Sequence, residues 1–261
     1  MNYFEITDNI SEFLPLYLLV FGRISALALS LPILGYGTVP PRVRIYLAVI
    51  LTFIVAPSLT SQFTTVYSSI FGLAADLIRE IVLGLFIGFG ARLVFEGFSV
   101  AGAYIGLQMG MAIMNVFDPS SQNQQPIISS FWLLIIVTFF LVTNSHYFII
   151  AVIFENFKLI HLGTASFHAE AGNVLMDGGV ILYQLALKFA APTMLFLLTI
   201  DIAIALMARV MPQLNIFFIS MPLKIGAGIF LLTVSLKIFQ GLFGYVYNEL
   251  EILVSGLMRS I

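Results

Sequence analysis

The chain contains no cysteine, which removes disulfides, thiolate metal sites and thiol nucleophiles and leaves the redox compartment undecided. Charge is scarce: Asp, Glu, Lys and Arg make up 9% of the 261 residues, and the formal net charge is -2. The 11 Lys and Arg are scattered, so the basic stripe that nucleic acid requires is missing. Walker A, HExxH and GxSxG sequences are also lacking, as is the intramembrane GxGD of aspartyl membrane proteases. His146, His161 and His168 have no metal-ligand spacing and read as loop or interface residues. The expectation is therefore a protein that is not an enzyme and holds no cofactor or metal. The N-terminus, MNYFEITDNISE, is acidic where a secretory signal is basic, and the apolar run behind it has no small-residue cleavage site; no cleaved signal peptide is expected.

What is abundant is apolar surface. The composition is 60% hydrophobic and the mean hydropathy is +1.06, more than a soluble domain of this size buries. An all-α integral membrane protein follows. Apolar runs long enough to cross a bilayer, which needs roughly 20 helical residues, fall at positions 13–35, 43–59, 69–95, 98–114, 127–154, 180–206 and 216–247. This gives six or seven helices, the uncertain stretch being 69–114, where Arg92, Glu96 and Gly97 interrupt a possible long buried hairpin. Turn chemistry separates the runs at 35–41, 57–69, 115–126, 155–179 and 209–215. Arg42 and Arg44 point to a cytoplasmic first loop, hence an outside N-terminus; Arg209 falls against that count.

Arg23, Asp76, Arg79, Glu80, Arg92, Lys188, Asp201, Lys224 and Lys237 all lie within apolar runs, where an ionised side chain costs about 2.5 to 3.5 kcal/mol on insertion scales. In 180–206, fourteen Leu, Ile, Val and Phe residues supply about -6 kcal/mol. Lys188 and Asp201 cost about +6 kcal/mol and cancel it. These two are about 20 Å apart along a helix, so each needs a partner from elsewhere. Asp76, Arg79 and Glu80 have the spacing for local pairing on one helical face, as do Arg92 and Glu96. Either these charges snorkel or sit in a bundle core, or they make intersubunit polar contacts in a complex held away from lipid; Arg79, Glu80, Lys188, Asp201 and Lys224 are the candidates for the second role.

The stretch GAYIGLQMGMAIMNVFDPSSQNQQP, positions 102–126, is the most informative. Gly102, Gly106 and Gly110 recur every four residues, as do Gly84 and Gly88, and such grooves let another backbone approach closely. They mark packing and identify no function. Beyond them come Met111, Ile113, Met114, Val116 and Phe117, a break at Asp118-Pro119, and six uncharged polar residues. That tract cannot face lipid without unsatisfied amides. It is either a surface loop or the lining or plug of an aqueous cavity, where Met and Phe side chains form a deformable hydrophobic constriction.

GAYIGLQMG followed by FDP resembles the signature region of the FliR family, whose virulence-system counterparts are called SctT. Four more stretches lie in matching order: PILGYGTVPPRVRIYLA with the following APSL, LVTNSHYF with Asn144 and His146, RVMPQLNIF, and MPLKIGAGI. Together they cover most of the chain. The resemblance implies a FliP-like part over about 1–179 and a FliQ-like helical hairpin and tail over about 180–261. It implies one copy in a helical assembly with several FliP and FliQ, in contact with FlhB, FlhA and the rod-base protein FliE. That assembly sits in the inner membrane at the flagellar basal body, largely on the periplasmic side, and passes unfolded rod, hook and filament proteins. The family's plug corresponds to positions 110–126, where Met111, Ile113, Met114, Val116, Phe117, Asp118 and Pro119 stand; Ile113 and Val116 replace aromatics of some members. Transport energy is implied to be the proton-motive force, acting through partner proteins. An injectisome gate subunit is the alternative. A small-solute transporter is the remote one, with Pro192 and Asp201 its only hints and no repeat in support. A non-conducting scaffold that nucleates assembly is a third.

Overall fold

A computed structural model describes residues 3–35, 39–60, 63, 67, 69–111, 127–213 and 215–261. Its regular elements are all helical: α1 Tyr3–Ser30, α2 Pro41–Leu59, α3 Ile70–Gln108, α4 Ile127–Val142, α5 His146–Leu159, α6 Ala169–Val210 and α7 Ile216–Arg259.

Local chemistry sets the boundaries. After α1 comes Pro32, and Ile33 follows at a φ of 75°, a left-handed conformation that is an outlier for a β-branched residue. The Gly35 N–H then donates to the Leu31 carbonyl at 2.9 Å and closes the turn. Helix α2 opens on Pro41, whose missing N–H costs nothing in a first turn. Helices α4 and α5 meet at a 75° bend, with Asn144 at a φ of 58° in the break. Asn tolerates that conformation better than most residues, which gives the NSH tripeptide its structural purpose.

The interruption expected at Arg92, Glu96 and Gly97 does not occur. Positions 70–108 form one helix of 39 residues, about 58 Å long at 1.5 Å per residue. A single Gly costs only about 1 kcal/mol in a helix interior, less than the intrahelical bonds and packing supply on either side. Helices α6 and α7, of 42 and 44 residues, extend well past the expected hairpin. Among the described residues, four segments have the length and hydropathy of a bilayer crossing: Phe13–Ser30, Pro41–Leu59, Ala169–Val210 and Phe218–Lys237; the bent α4–α5 pair is a fifth if counted as one span.

The chain divides into two compact units. Unit 1 comprises Met1–Arg92, Asn144–Gly178 and Leu250–Ile261, and unit 2 comprises Leu93–Thr143 and Gly179–Glu249. Helices α3, α6 and α7 each contribute to both. In unit 1, Leu16, Leu19, Val20, Ile24 and Leu27 of α1 are fully buried, and the Tyr17 and Phe53 rings of α1 and α2 stand 5.5 Å apart. The core of unit 2 is aromatic. Trp132 is fully buried, its ring 4.5 Å from Phe189, which lies 5.1 Å from Phe98 and 5.5 Å from Phe239. The contacts are edge-to-face, the geometry the ring quadrupole favours.

Candidate functional site

Unit 1 encloses an ion pair. Arg23 of α1 and Glu80 of α3 are completely buried and bonded to each other. Arg23 also donates from Nη1 to Asn156 Oδ1 at 2.7 Å and to the Ile160 carbonyl at 2.9 Å, and its guanidinium lies 4.6 Å from the Phe157 ring centroid. The second Glu80 oxygen accepts the Gly163 N–H at 2.8 Å. Both charges are thereby paired and hydrogen-bonded, as burial demands. Asn156 Nδ2 is buried with no partner among the described residues. Glu80 is thus engaged inside the chain by an Arg 57 residues away, with its side chain completely buried.

Arg79, one residue before Glu80, has the local partner its spacing offers: Nη1 donates to Asp76 Oδ1 at 2.9 Å, with Arg79 itself largely exposed. The other Asp76 oxygen accepts the Tyr67 hydroxyl at 2.8 Å. Burial, and then the Asp76 carboxylate, push the Tyr67 phenol well above its ordinary range.

The glycines fall into two groups. A Cβ on Gly84 would stand 2.5 Å from the Arg23 carbonyl oxygen and 2.9 Å from Ala26 Cβ, and one on Gly88 would overlap Ser30 Oγ. At these positions α1 crosses α3 with nothing but hydrogen between them. Gly102 does the same for α4, with Ser129 Cα at 2.5 Å and the Ile128 carbonyl oxygen at 2.7 Å, and Ser129 Oγ donates to the Ser99 carbonyl at 2.7 Å. Gly97, not singled out from spacing, seats α6, with the Leu182 carbonyl oxygen 3.0 Å from its virtual Cβ.

Gly106 and Gly110 end α3. The Gly110 N–H donates to the Leu107 carbonyl and the Met111 N–H to the Gly106 carbonyl, each at 3.0 Å, with Gly110 at a φ of 80°. This is the Schellman arrangement, which places a left-handed residue just past the last helical one. A Cβ on Gly110 would meet nothing within 4 Å among the described residues, and the positive φ of the turn is what its glycine serves there. The signal was in the sequence, in the position of a glycine after the last periodic residue.

In unit 2 the one acid in positions 179–210 of α6 has found its partners. Asp201 pairs with Lys224 of α7, and its other oxygen accepts from Gln108 Nε2 at 3.1 Å. Lys188 donates to the Tyr245 hydroxyl at 3.1 Å and lies 4.7 Å from its ring centroid, on the exposed side. Of the expected plug residues, Met111 closes the α3 turn, while Ile113, Met114, Val116, Phe117, Asp118 and Pro119 lie outside the described residues. No cluster of three or more His, Asp or Glu suited to a metal exists among the described residues.

Around these polar groups the α6–α7 pair presents apolar side chains outward. Leu187, Leu195 and Ile202 on α6 and Phe218, Ile229 and Phe230 on α7 are exposed. Only 17% of the apolar window of α6 and 11% of that of α7 is buried within the chain. Surfaces of this kind require lipid or the helices of other subunits.

Known proteins are similar in sequence to nearly the whole of this chain. The model of the family described as "Bacterial export proteins, family 1" matches residues 14–250. The flagellar biosynthetic protein FliR of Escherichia coli is 31% identical over 94% of this chain and 95% of its own length, and that of Bacillus subtilis is 30% identical over 88% and 90%. The secretion system apparatus protein SsaT of Salmonella typhimurium is 25% identical over 84% and 86%. With the match running from the first buried turns of α1 through the Schellman turn to the last turns of α7, the chain belongs to the FliR family of bacterial export proteins.

Proposed function

We propose that this protein is a structural pore subunit of the flagellar type III export gate, passing unfolded rod, hook and filament proteins across the inner membrane and helping to nucleate the rod. The observation that supports this reading most is the pairing of full-length FliR similarity with two helices of 42 and 44 residues. At about 63 and 66 Å they are twice as long as a bilayer core of about 30 Å is thick, and their apolar flanks are uncovered. Helices that outrun the membrane and stay apolar fit a subunit enclosed by others.

In this reading the part up to about position 179 is FliP-like and the rest is a FliQ-like hairpin and tail. One copy joins several FliP and FliQ in the inner membrane, with much of the assembly on the periplasmic side and FlhB, FlhA and FliE as further partners. Lys188, exposed in mid-helix with a tyrosine in place of an acid, is the side chain best placed to meet a carboxylate of a neighbouring subunit. Arg79 and the open flank of the Asp201–Lys224 pair are further contacts. The role is transport and involves no catalysis, with energy supplied through partner proteins. SsaT carries the alternative of a virulence system, and the higher identities to FliR favour the flagellar one.

The test is membrane conductance after deletion of positions 115–125 in cells expressing the partner subunits, with complex yield measured in parallel. A leak with the complex intact is the expected result. An intact complex without a leak would remove the plug and leave the chain a scaffold.

A further inference from the structure

We infer that Asp201, Lys224 and Gln108 together form an intrachain pin that fixes the register of the α3 C-terminus on the α6–α7 hairpin, with Asp201 as the positioning residue. This goes beyond the proposed function, which uses the same pair at a subunit surface, and it does not depend on that function.

Four observations converge within unit 2. Asp201 divides its two oxygens between two elements: Oδ1 pairs with Lys224 of α7, and Oδ2 accepts Gln108 Nε2 of α3 at 3.1 Å. One carboxylate therefore joins three helices, and the Gln108 bond is charge-assisted. Gln108 is the last residue of α3, so the pin acts on the terminal turn and not on a mid-helix face. The adjacent Met109 is fully buried, and its Sδ and Cγ stand 2.6 and 2.8 Å from where a Cβ on Gly228 would be. A Cβ at that position of α7 would force the Met109 side chain to shift. Gly110 then turns the backbone out of the helix at a φ of 80°. Three successive residues are thus committed: Gln108 to the acid, Met109 to the glycine gap, and Gly110 to the exit.

The physical reason for a polar pin here is directional. Upstream, Phe98 against Phe189 and Phe239 and Gly97 against Leu182 already seat α3 on the hairpin, and what they leave to be set is the path of its last turn. A hydrogen bond from the terminal Gln108 to a single acid among apolar residues admits one register, as isolated buried polar residues do in helix pairs. The pair remains part-exposed, 19% at Lys224 and 33% at Asp201, so its contribution lies in specifying position more than in stability.

The absence of native cysteine makes the test direct. Met109→Cys with Gly228→Cys places two thiols within disulfide reach, and oxidative cross-linking of the full chain in membranes then reports register. Gly97→Cys with Leu185→Cys, whose Cβ atoms would be 3.3 Å apart, is the control pair in the same unit. Asp201→Leu or Gln108→Leu is expected to slow the 109–228 cross-link by about fivefold, the scale of one net hydrogen bond, and to leave the control rate unchanged. The exchange Asp201→Lys with Lys224→Asp is expected to restore it. An unchanged 109–228 rate in Asp201→Leu would overturn the inference, and so would slowing of both pairs or failure of the charge exchange to restore the rate. Loss of export with normal cross-linking would assign the pair to a subunit contact instead.

Discussion

Two of the ion pairs among the described residues, each joining separate helices, are built to opposite specifications. Arg23 and Glu80 in unit 1 are completely buried, and their bonds run to Asn156, Ile160 and Gly163 as well as to each other. Asp201 and Lys224 in unit 2 are part-exposed, and Gln108 donates to the free oxygen of the acid. The first is closed: both charged groups are completely buried and hydrogen-bonded within the chain, and Asn156 Nδ2 is the one atom of the cluster left without a partner among the described residues. The second keeps an open side. An ionised group in an apolar helix is therefore no single signal: one such charge is a structural keystone and another is an available contact, and accessibility separates them.

Breaking the closed pair has the largest expected effect. Glu80→Ala leaves a buried guanidinium unpaired and should cost about 3–5 kcal/mol, read as a fall in the thermal transition of the purified protein in detergent. Arg23→Leu combined with Glu80→Leu should recover most of that loss. If the single and double variants lose equal stability, the pair is not the closed unit described. Gly84→Ala comes next, at about 1–3 kcal/mol, since its Cβ meets the backbone of α1. Gly226→Ala, with nothing within 4 Å, should change stability by less than about 1 kcal/mol; equal effects at both sites would refute the close approach of α1 and α3. Breaking the open pair with Asp201→Asn should cost the isolated chain no more than about 1 kcal/mol, the contrast with Glu80→Ala that sharpens the comparison most.

The smallest effect concerns pH. The Tyr67 phenol is raised above the ordinary tyrosine value of 10.0, so the folded chain holds this proton more tightly than the unfolded one. Its contribution to stability is complete below pH 10 and is lost as pH rises from there through the folded value. Tyr67→Phe should flatten the alkaline decline between about pH 10 and 11, measured by thermal shift across pH, and leave the neutral range unchanged.

Several elements were legible from the residues one at a time. Pro41 opens α2 and the breaks between the apolar runs lie where Gly, Pro and Asn cluster, because backbone restrictions act locally. Hydropathy marked the apolar helices for the same reason: transfer from water to lipid adds up residue by residue. The break expected at Arg92, Glu96 and Gly97 failed because a helix interior accepts such residues when its neighbours carry the cost. The partner of Glu80 was illegible for a different reason. Local spacing offered Asp76, Arg79 and Glu80 as one cluster, and the fold supplied Arg23 from another helix, in a pocket where no water competes. Likewise Gly110 had the spacing of a packing glycine and the job of a helix terminator.

The amino-acid sequence by itself determined that this is an all-helical, membrane-suited chain of the FliR family, since composition, hydropathy and ordered motifs are properties of the chain alone. Which glycines meet a neighbouring backbone, which charges close on each other and which stay open were decided only by the tertiary structure. Those outcomes depend on what lies across a helix interface, and residues such as Arg23 and Glu80, 57 positions apart, acquire a common environment only when α1 and α3 pack.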